Sequence, residues 1–166
     1  RPLDVSNLAV SCARLDAGSP DVLEAISERA LEILDSFRPS SLAGLIWAMG
    51  RMKNSGISEE LCHAVLSAAA GSADKIGPKE AVSIIWGVSR TIPEPDEESI
   101  AAILDRMSAL LPTMDDQETL LALQSLGHLS RIVPGSAALA WTVEAANEKE
   151  IDLTALPASS SALTAW

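Results

Sequence analysis

The chain has 166 residues, 48% of them apolar and 21% charged, with a formal net charge of −11. That much apolar side chain is ample for a buried core, which excludes a disordered polyanion. The uncharged apolar stretches at 42–50 and 137–143 fall far short of the roughly 20 residues that span a bilayer.

Tyr is absent and Phe37 is the only phenylalanine, so the aromatics that favour β-sheet are scarce while Leu, Ala, Ile, Val and Met dominate. The composition predicts an all-α chain. Arg1-Pro2-Leu3-Asp4 shows no charged segment leading into an apolar one, so neither a secretory signal nor an intact transit peptide is visible. The acidity is uneven: residues 1–53 hold 6 basic and 7 acidic side chains, and residues 54–166 hold 6 and 16. Cys12 and Cys62 fall on apolar helix faces with no second Cys or His at metal-ligand spacing, so both are expected as buried, reduced thiols.

Taken in chain order, the elements repeat. Asp4 to Leu15 reads as a helix, termed A, and Ser19-Pro20-Asp21 then caps a second amphipathic helix, termed B. This first B helix is expected over Asp21–Phe37, with Leu23, Ile26, Ala30, Ile33 and Leu34 on one stripe. The next A helix has apolar side chains at Leu42, Leu45, Ile46 and Met49, the i, i+3, i+4, i+7 pattern. Ser58-Glu59-Glu60, Pro95-Asp96-Glu97-Glu98 and Pro134-Gly135-Ser136 start the later B helices, with N-cap chemistry in each. Self-similarity ties these copies together. Phe37-Arg-Pro-Ser-Ser-Leu-Ala-Gly-Leu-Ile-Trp-Ala-Met-Gly-Arg-Met52 recurs as Ile76-Gly-Pro-Lys-Glu-Ala-Val-Ser-Ile-Ile-Trp-Gly-Val-Ser-Arg-Thr91, and more faintly from Met114 to Leu129. Val10, Trp47, Trp86, Gln124 and Trp166 share one column at spacings of 37, 39, 38 and 42.

Two columns just after it are small throughout: Ser11, Ala48, Gly87 and Ser125, then Ala13, Gly50, Ser89 and Gly127. Small side chains at a repeated position let neighbouring helices approach closely. One hairpin cannot bury its apolar stripe alone, so the units must stack, which predicts an α-solenoid with a period of about 38 residues. The expected organisation is a single array: a partial repeat 1–36, repeats 37–75, 76–113 and 114–155, and a partial repeat 156–166. Because both ends cut across the unit, this register predicts a portion of a longer array.

The segment from Phe37 to Met52, with Pro39, Leu42, Ala43, Trp47 and Gly50-Arg51, resembles the octotricopeptide repeat, whose usual form is Phe-Ser-Pro-Gln-Glu-Leu-Ala-Asn-x-Leu-Trp-Ala-Leu-Ala-Lys-Leu. The third copy, 76–91, matches that form less well, and the others match only its apolar spacing. Such repeats, and similar ones in proteins that carry a RAP domain, are typical of organellar RNA-binding factors. The resemblance therefore implies single-stranded RNA as partner, in a chloroplast or mitochondrion, with a role in RNA processing, translation or ribosome assembly. Family members commonly carry an amide at the position of Asn7, Gly44, Ser83, Leu121 and Leu163, and the first copy keeps one.

Candidate contact residues follow from the register. Arg14, Arg51, Arg90 and His128 share one position, so stacking would align them as a ladder able to meet successive phosphates. Each also sits near a helix C-terminus, where a cation complements the dipole. Ser40, Lys79 and Gln117 at the helix starts, with Asn7 and Ser83, could read a partner two or three side chains per unit, or serve as ordinary caps. Trp47 and Trp86 lie mid-stripe and are expected in the core, while Trp141 is off the column and fits either a core or a contact role. His63 and His128 have no Ser, Cys or carboxylate at a telling spacing, and glycine-rich phosphate loops are missing. The expectation is a non-enzymatic binding module with no metal, cofactor or small-molecule substrate. Charge gives a competing partner: a net −10 over residues 54–166 would repel a polyanion and suits a protein scaffold or linker within a large organellar assembly.

Overall fold

The computed structural model describes residues 1–52, 58–132 and 136–150. Within them lie eight α-helices and no strand: α1 (Pro2–Leu15), α2 (Pro20–Glu32), α3 (Pro39–Arg51), α4 (Glu59–Ala70), α5 (Pro78–Thr91), α6 (Glu97–Leu110), α7 (Asp116–Ile132) and α8 (Ser136–Glu148). Single turns of 3-10 helix at Leu34–Ser36, Ala73–Lys75 and Leu111–Thr113 precede α3, α5 and α7. The expected partial copy 156–166, the Trp166 and Leu163 positions, and the Pro134-Gly135 cap lie outside the described residues.

Local chemistry explains where the helices begin. Pro2, Pro20, Pro39 and Pro78 occupy first-turn positions, where a missing N–H costs nothing and the fixed φ suits a helix. Ser19, Ser58 and Asp96 cap α2, α4 and α6 by accepting from the Val22, Leu61 and Ser99 amides. The hydrogen bond from Ser99 also holds the Asp96 carboxyl below its ordinary value. α7 starts with a reciprocal capping box: the Glu118 N–H donates to Asp115 Oδ1 at 2.7 Å and the Asp115 N–H to Glu118 Oε2 at 3.0 Å.

The first B helix is shorter than its apolar stripe suggests. It stops at Glu32, not Phe37, and the chain tightens into the 3-10 turn. Pro39 is the cause: the residue before a proline avoids the α region, and Arg38 is extended at φ −88°, ψ 156°. Ser36 completes the stop, its Oγ–H donating to the Ile33 carbonyl at 2.6 Å. Leu23, Ile26 and Ala30 are buried as expected, whereas Ile33 and Leu34 are only half-buried.

Two layers result. The broadest contacts join α1 to α3, α3 to α5 and α5 to α7, so the A helices form one row; α2, α4, α6 and α8 form the other, and each A helix also meets the B helix that follows it. The core lies between the rows and along the A seam, where Leu42, Leu45, Ile46 and Met49 are all essentially inaccessible. Cys12 and Cys62 are buried free thiols. Trp141 on α8 is core, at 2% exposure.

The A seam is tight because of the small columns. A Cβ added to Gly87 would lie 2.4 Å from the Ile46 carbonyl oxygen, and one added to Gly50 would lie 2.9 Å from the Gly87 Cα. Backbone is the nearest neighbour at both, so neither site yields without moving a helix. Gly87→Ala should therefore lower stability by about 1–3 kcal/mol despite the roughly 1 kcal/mol that Ala gains in helix propensity. Gly71→Ala, whose added Cβ meets nothing closer than 3.5 Å, should be neutral or slightly stabilising; urea midpoints followed by far-UV circular dichroism compare the two.

Burial pushes the Cys62 thiol from 9.0 up to about 11, Glu59 adding to the rise and the Thr91 hydrogen bond opposing it. The folded state thus favours the neutral thiol, and its contribution is complete below pH 9 and lost as pH climbs toward 11. The urea midpoint of the native chain should fall across that window more steeply than that of Cys62→Ala; equal slopes would remove burial of the thiol as the cause.

Candidate functional site

The candidate residues lie on the outer side of the A layer, which faces away from the B helices. Helical spacing puts Leu3, Asn7, Val10 and Arg14 on one stripe of α1, Ser40, Gly44, Trp47 and Arg51 on α3, Lys79, Ser83, Trp86 and Arg90 on α5, and Gln117, Leu121, Gln124 and His128 on α7. Ser40, Lys79 and Gln117 are exposed in the first turns of α3, α5 and α7. Arg51 and Arg90 sit eleven residues further on, about 16 Å along the axis, so the two sets mark opposite ends of the layer and do not converge.

The cation column is in register, and its members have different surroundings. Arg14 and Arg51 are exposed; Arg90 and His128 are half-buried. The Arg51 Nε–H donates at 3.1 Å to the carbonyl of Ala13, at the C-terminal end of the neighbouring α1. This bond satisfies a carbonyl that helix geometry leaves unpaired. Arg90 instead lies over the Trp86 ring, 4.7 Å from its centroid, and burial lowers its pKa from the ordinary guanidinium value. On the other helices of the layer, Asn7 is exposed on α1 and Ser83 half-buried on α5. At the Gly44 position an added Cβ would lie 2.8 Å from Ser6 Oγ, so an amide there would displace the hydroxyl that donates to the Ser41 carbonyl.

The aromatic column forms a seam. Trp47 and Trp86 stack with centroids 6.1 Å apart and planes at 28°. Trp86 is only 7% exposed, so with Trp47 and Arg90 against it no free indole face is left for a base. Trp86 Nε1, Arg90 Nε and both amide atoms of Gln124 are buried without a hydrogen-bond partner among the described residues. Such groups raise the free energy of the folded state unless water or a ligand meets them.

Charge separates between the layers. Asp4, Glu80, Asp116 and Glu118 are the four acids of the A helices, against five basic residues: Arg14, Arg51, Lys79, Arg90 and Arg131. The B helices carry eleven acids and only two basic residues, Arg29 and Arg106. The outer A side is near neutral and the outer B side strongly negative.

Two anchoring cations escaped the sequence reading. The Arg106 Nε–H donates to the Ile76 carbonyl at 2.9 Å and Lys149 Nζ to the Met114 carbonyl at 2.7 Å. Ile76 and Met114 hold the same position, just before α5 and α7, but the spacings of 30 and 35 residues to their donors differ, so no periodic signal marks the pair. Among the described residues no three His, Cys, Asp or Glu side chains gather to hold a metal ion, and no helix is long and apolar enough to cross a membrane. No protein-family model, curated protein or solved structure matches the chain.

The different surroundings of the cation column have a measurable consequence. Arg90→Ala should lower stability by about 1–2 kcal/mol through loss of the ring contact and of its packed stem, whereas Arg14→Ala should change it by less than about 0.5 kcal/mol. Equal effects in chemical denaturation would show that the ring contact contributes nothing.

Proposed function

We propose that the chain is a non-enzymatic α-solenoid module, with a repeat of about 38 residues, that holds single-stranded RNA along the outer side of its A helices. Helix starts support the repeat: A helices begin at Pro2, Pro39, Pro78 and Asp116, spaced 37, 39 and 38 residues apart, and B helices at Pro20, Glu59, Glu97 and Ser136, spaced 39, 38 and 39. The observation that carries the RNA reading is the separation of charge. A net charge of −11 argues against a polyanionic partner, yet eleven of the fifteen acids within helices sit on the B helices, and the A helices offset their four with five cations. Together with the octotricopeptide resemblance of residues 37–52, this favours an organellar factor acting in RNA processing, translation or ribosome assembly. Neighbouring rungs of the ladder would be about 8–10 Å apart, the usual interaxial spacing of packed helices.

The test is fluorescence anisotropy with a labelled single-stranded RNA across a salt series. Binding should weaken with salt, and replacing Arg14 with Ala should reduce the logarithmic slope by about 0.7, the value for one phosphate contact on a single strand. Absence of binding at low salt would overturn the reading.

A second reading rests on the B layer. Eleven acids against two basic side chains suit a basic protein surface, as in a scaffold or linker subunit of a large organellar assembly. Partners that remain bound to the purified chain after nuclease treatment, and leave with rising salt, would favour it.

A further inference from the structure

The side of α1 that faces away from α3 is uncovered. Leu8 and Leu15 are 51% and 76% exposed, although their counterparts on α3, Leu45 and Met52, are 1% and 6% exposed. Ser11 between them is exposed as well, where Ala48 on α3 and Gly87 on α5 are buried. Those two small residues mark the side on which an A helix receives its predecessor: Gly87 meets the Ile46 backbone of α3. The bare surface continues onto the B layer, where Val22 of α2 is 40% exposed and its counterpart Leu61 of α4 is 1% exposed.

Arg14 gives the surface a direction. Its counterpart Arg51 reaches back to the C-terminal carbonyl of Ala13 on the preceding A helix. Arg14 makes no such bond among the described residues and is exposed at the same height on α1. A helix laid parallel to α1 on this side would bring its negative C-terminal end to the guanidinium, and an antiparallel one would bring its positive end.

We propose that the open side of α1 and α2 is a docking surface for one further helical hairpin of the A and B kind. Its A helix runs parallel to α1 over Leu8, Ser11 and Leu15, and its last carbonyls accept from Arg14. Three features select this occupant. The surface spans both layers, so a lone helix would leave Val22 bare. It continues the interface that α3 presents to α1, residue for residue. A second copy of the chain apposed through a two-fold axis would either run the α1 helices antiparallel, setting each Arg14 against a helix N-terminus, or run them parallel, setting the two Arg14 cations at one height against each other. The proposal is independent of what the outer A stripe holds.

The probe is the full chain with a copy of residues 1–37 joined directly ahead of Arg1, the register in which residue 38 follows residue 37, so that Ser11 meets the added helix as Ala48 meets α1; substitutions are made in the original α1 only. Its thermal midpoint should exceed that of the native chain by about 5 °C or more, the shift expected for roughly 2 kcal/mol in a chain of this size. Leu8→Asp with Leu15→Asp should abolish that gain while leaving the native chain's midpoint within about 2 °C, since both side chains are exposed there. Arg14→Gln should remove part of the gain. An unchanged midpoint in the extended chain, or a gain that survives the two aspartates, would overturn the proposal. Sedimentation of the native chain adds a second readout: a monomer at all concentrations is expected, and a dimer dispersed by Leu15→Asp would assign the surface to a second copy and overturn the hairpin as its occupant.

Discussion

The approach of α3 to α5 at Gly50 and Gly87 constrains nearly everything else in this chain. Two helices whose backbones come into van der Waals contact have no freedom to slide, because each glycine is the only residue its partner's backbone tolerates at that point. With that crossing fixed, Trp47 and Trp86 fall beside one another and stack, and their rings close the outer edge of the seam. The A row is therefore the rigid element. The B helices contact one another less broadly and are held to the A row by the hairpin turns and by the Arg106 and Lys149 bonds to backbone carbonyls.

This rigidity shapes what the outer A side can offer. Much of the stripe is spent on the seam: Trp86 is covered, Arg90 lies on it, and Arg51 is bonded to α1. An Arg bonded through Nε still has its terminal nitrogens, so structural and ligand contacts are not exclusive for that side chain. Preorganisation by the seam would lower the entropy lost on binding, because a guanidinium already held over a ring or against a carbonyl has fewer rotamers to lose. The same arrangement explains how a chain with so many acids keeps an outer A side that is near neutral: acids in the first turns of the B helices stabilise those helix starts, and the positions facing the A seam are small or apolar.

Much of the architecture was legible because two periodicities are superimposed in the sequence. Leu42, Leu45, Ile46 and Met49 announced a buried helix face, and the recurrence of Gly and Ala after the Trp column announced close contact between like helices. The Ser19, Ser58 and Asp96 caps were readable for the same reason: their chemistry is local. The end of α2 was not, because the apolar stripe continues through Ile33 and Leu34 after the backbone has already tightened ahead of Pro39. The capping box of α7 carries a signature, Asp115 three residues before Glu118, that a search for acidic caps finds.

What the pattern left open is direction. Arg14, Arg51 and Arg90 are equivalent by register, yet one is exposed, one bonds a neighbouring helix and one covers a ring, since a column fixes where a side chain starts and not what it meets. The differences have a local origin. Ala13 offers a carbonyl to Arg51, while Arg90 follows Trp86 by four residues, one turn along the same helix face, and the large ring captures the guanidinium. Trp47 and Arg51 have the same spacing, so proximity along the helix does not decide the outcome. The tryptophan at 86 is sandwiched deep in the layer and buries the cation with it, whereas Trp47 is half-exposed and leaves its arginine to reach for the next helix. Depth in the layer, a property of the neighbours and not of the helix's own pattern, thus sets what each of these arginines meets.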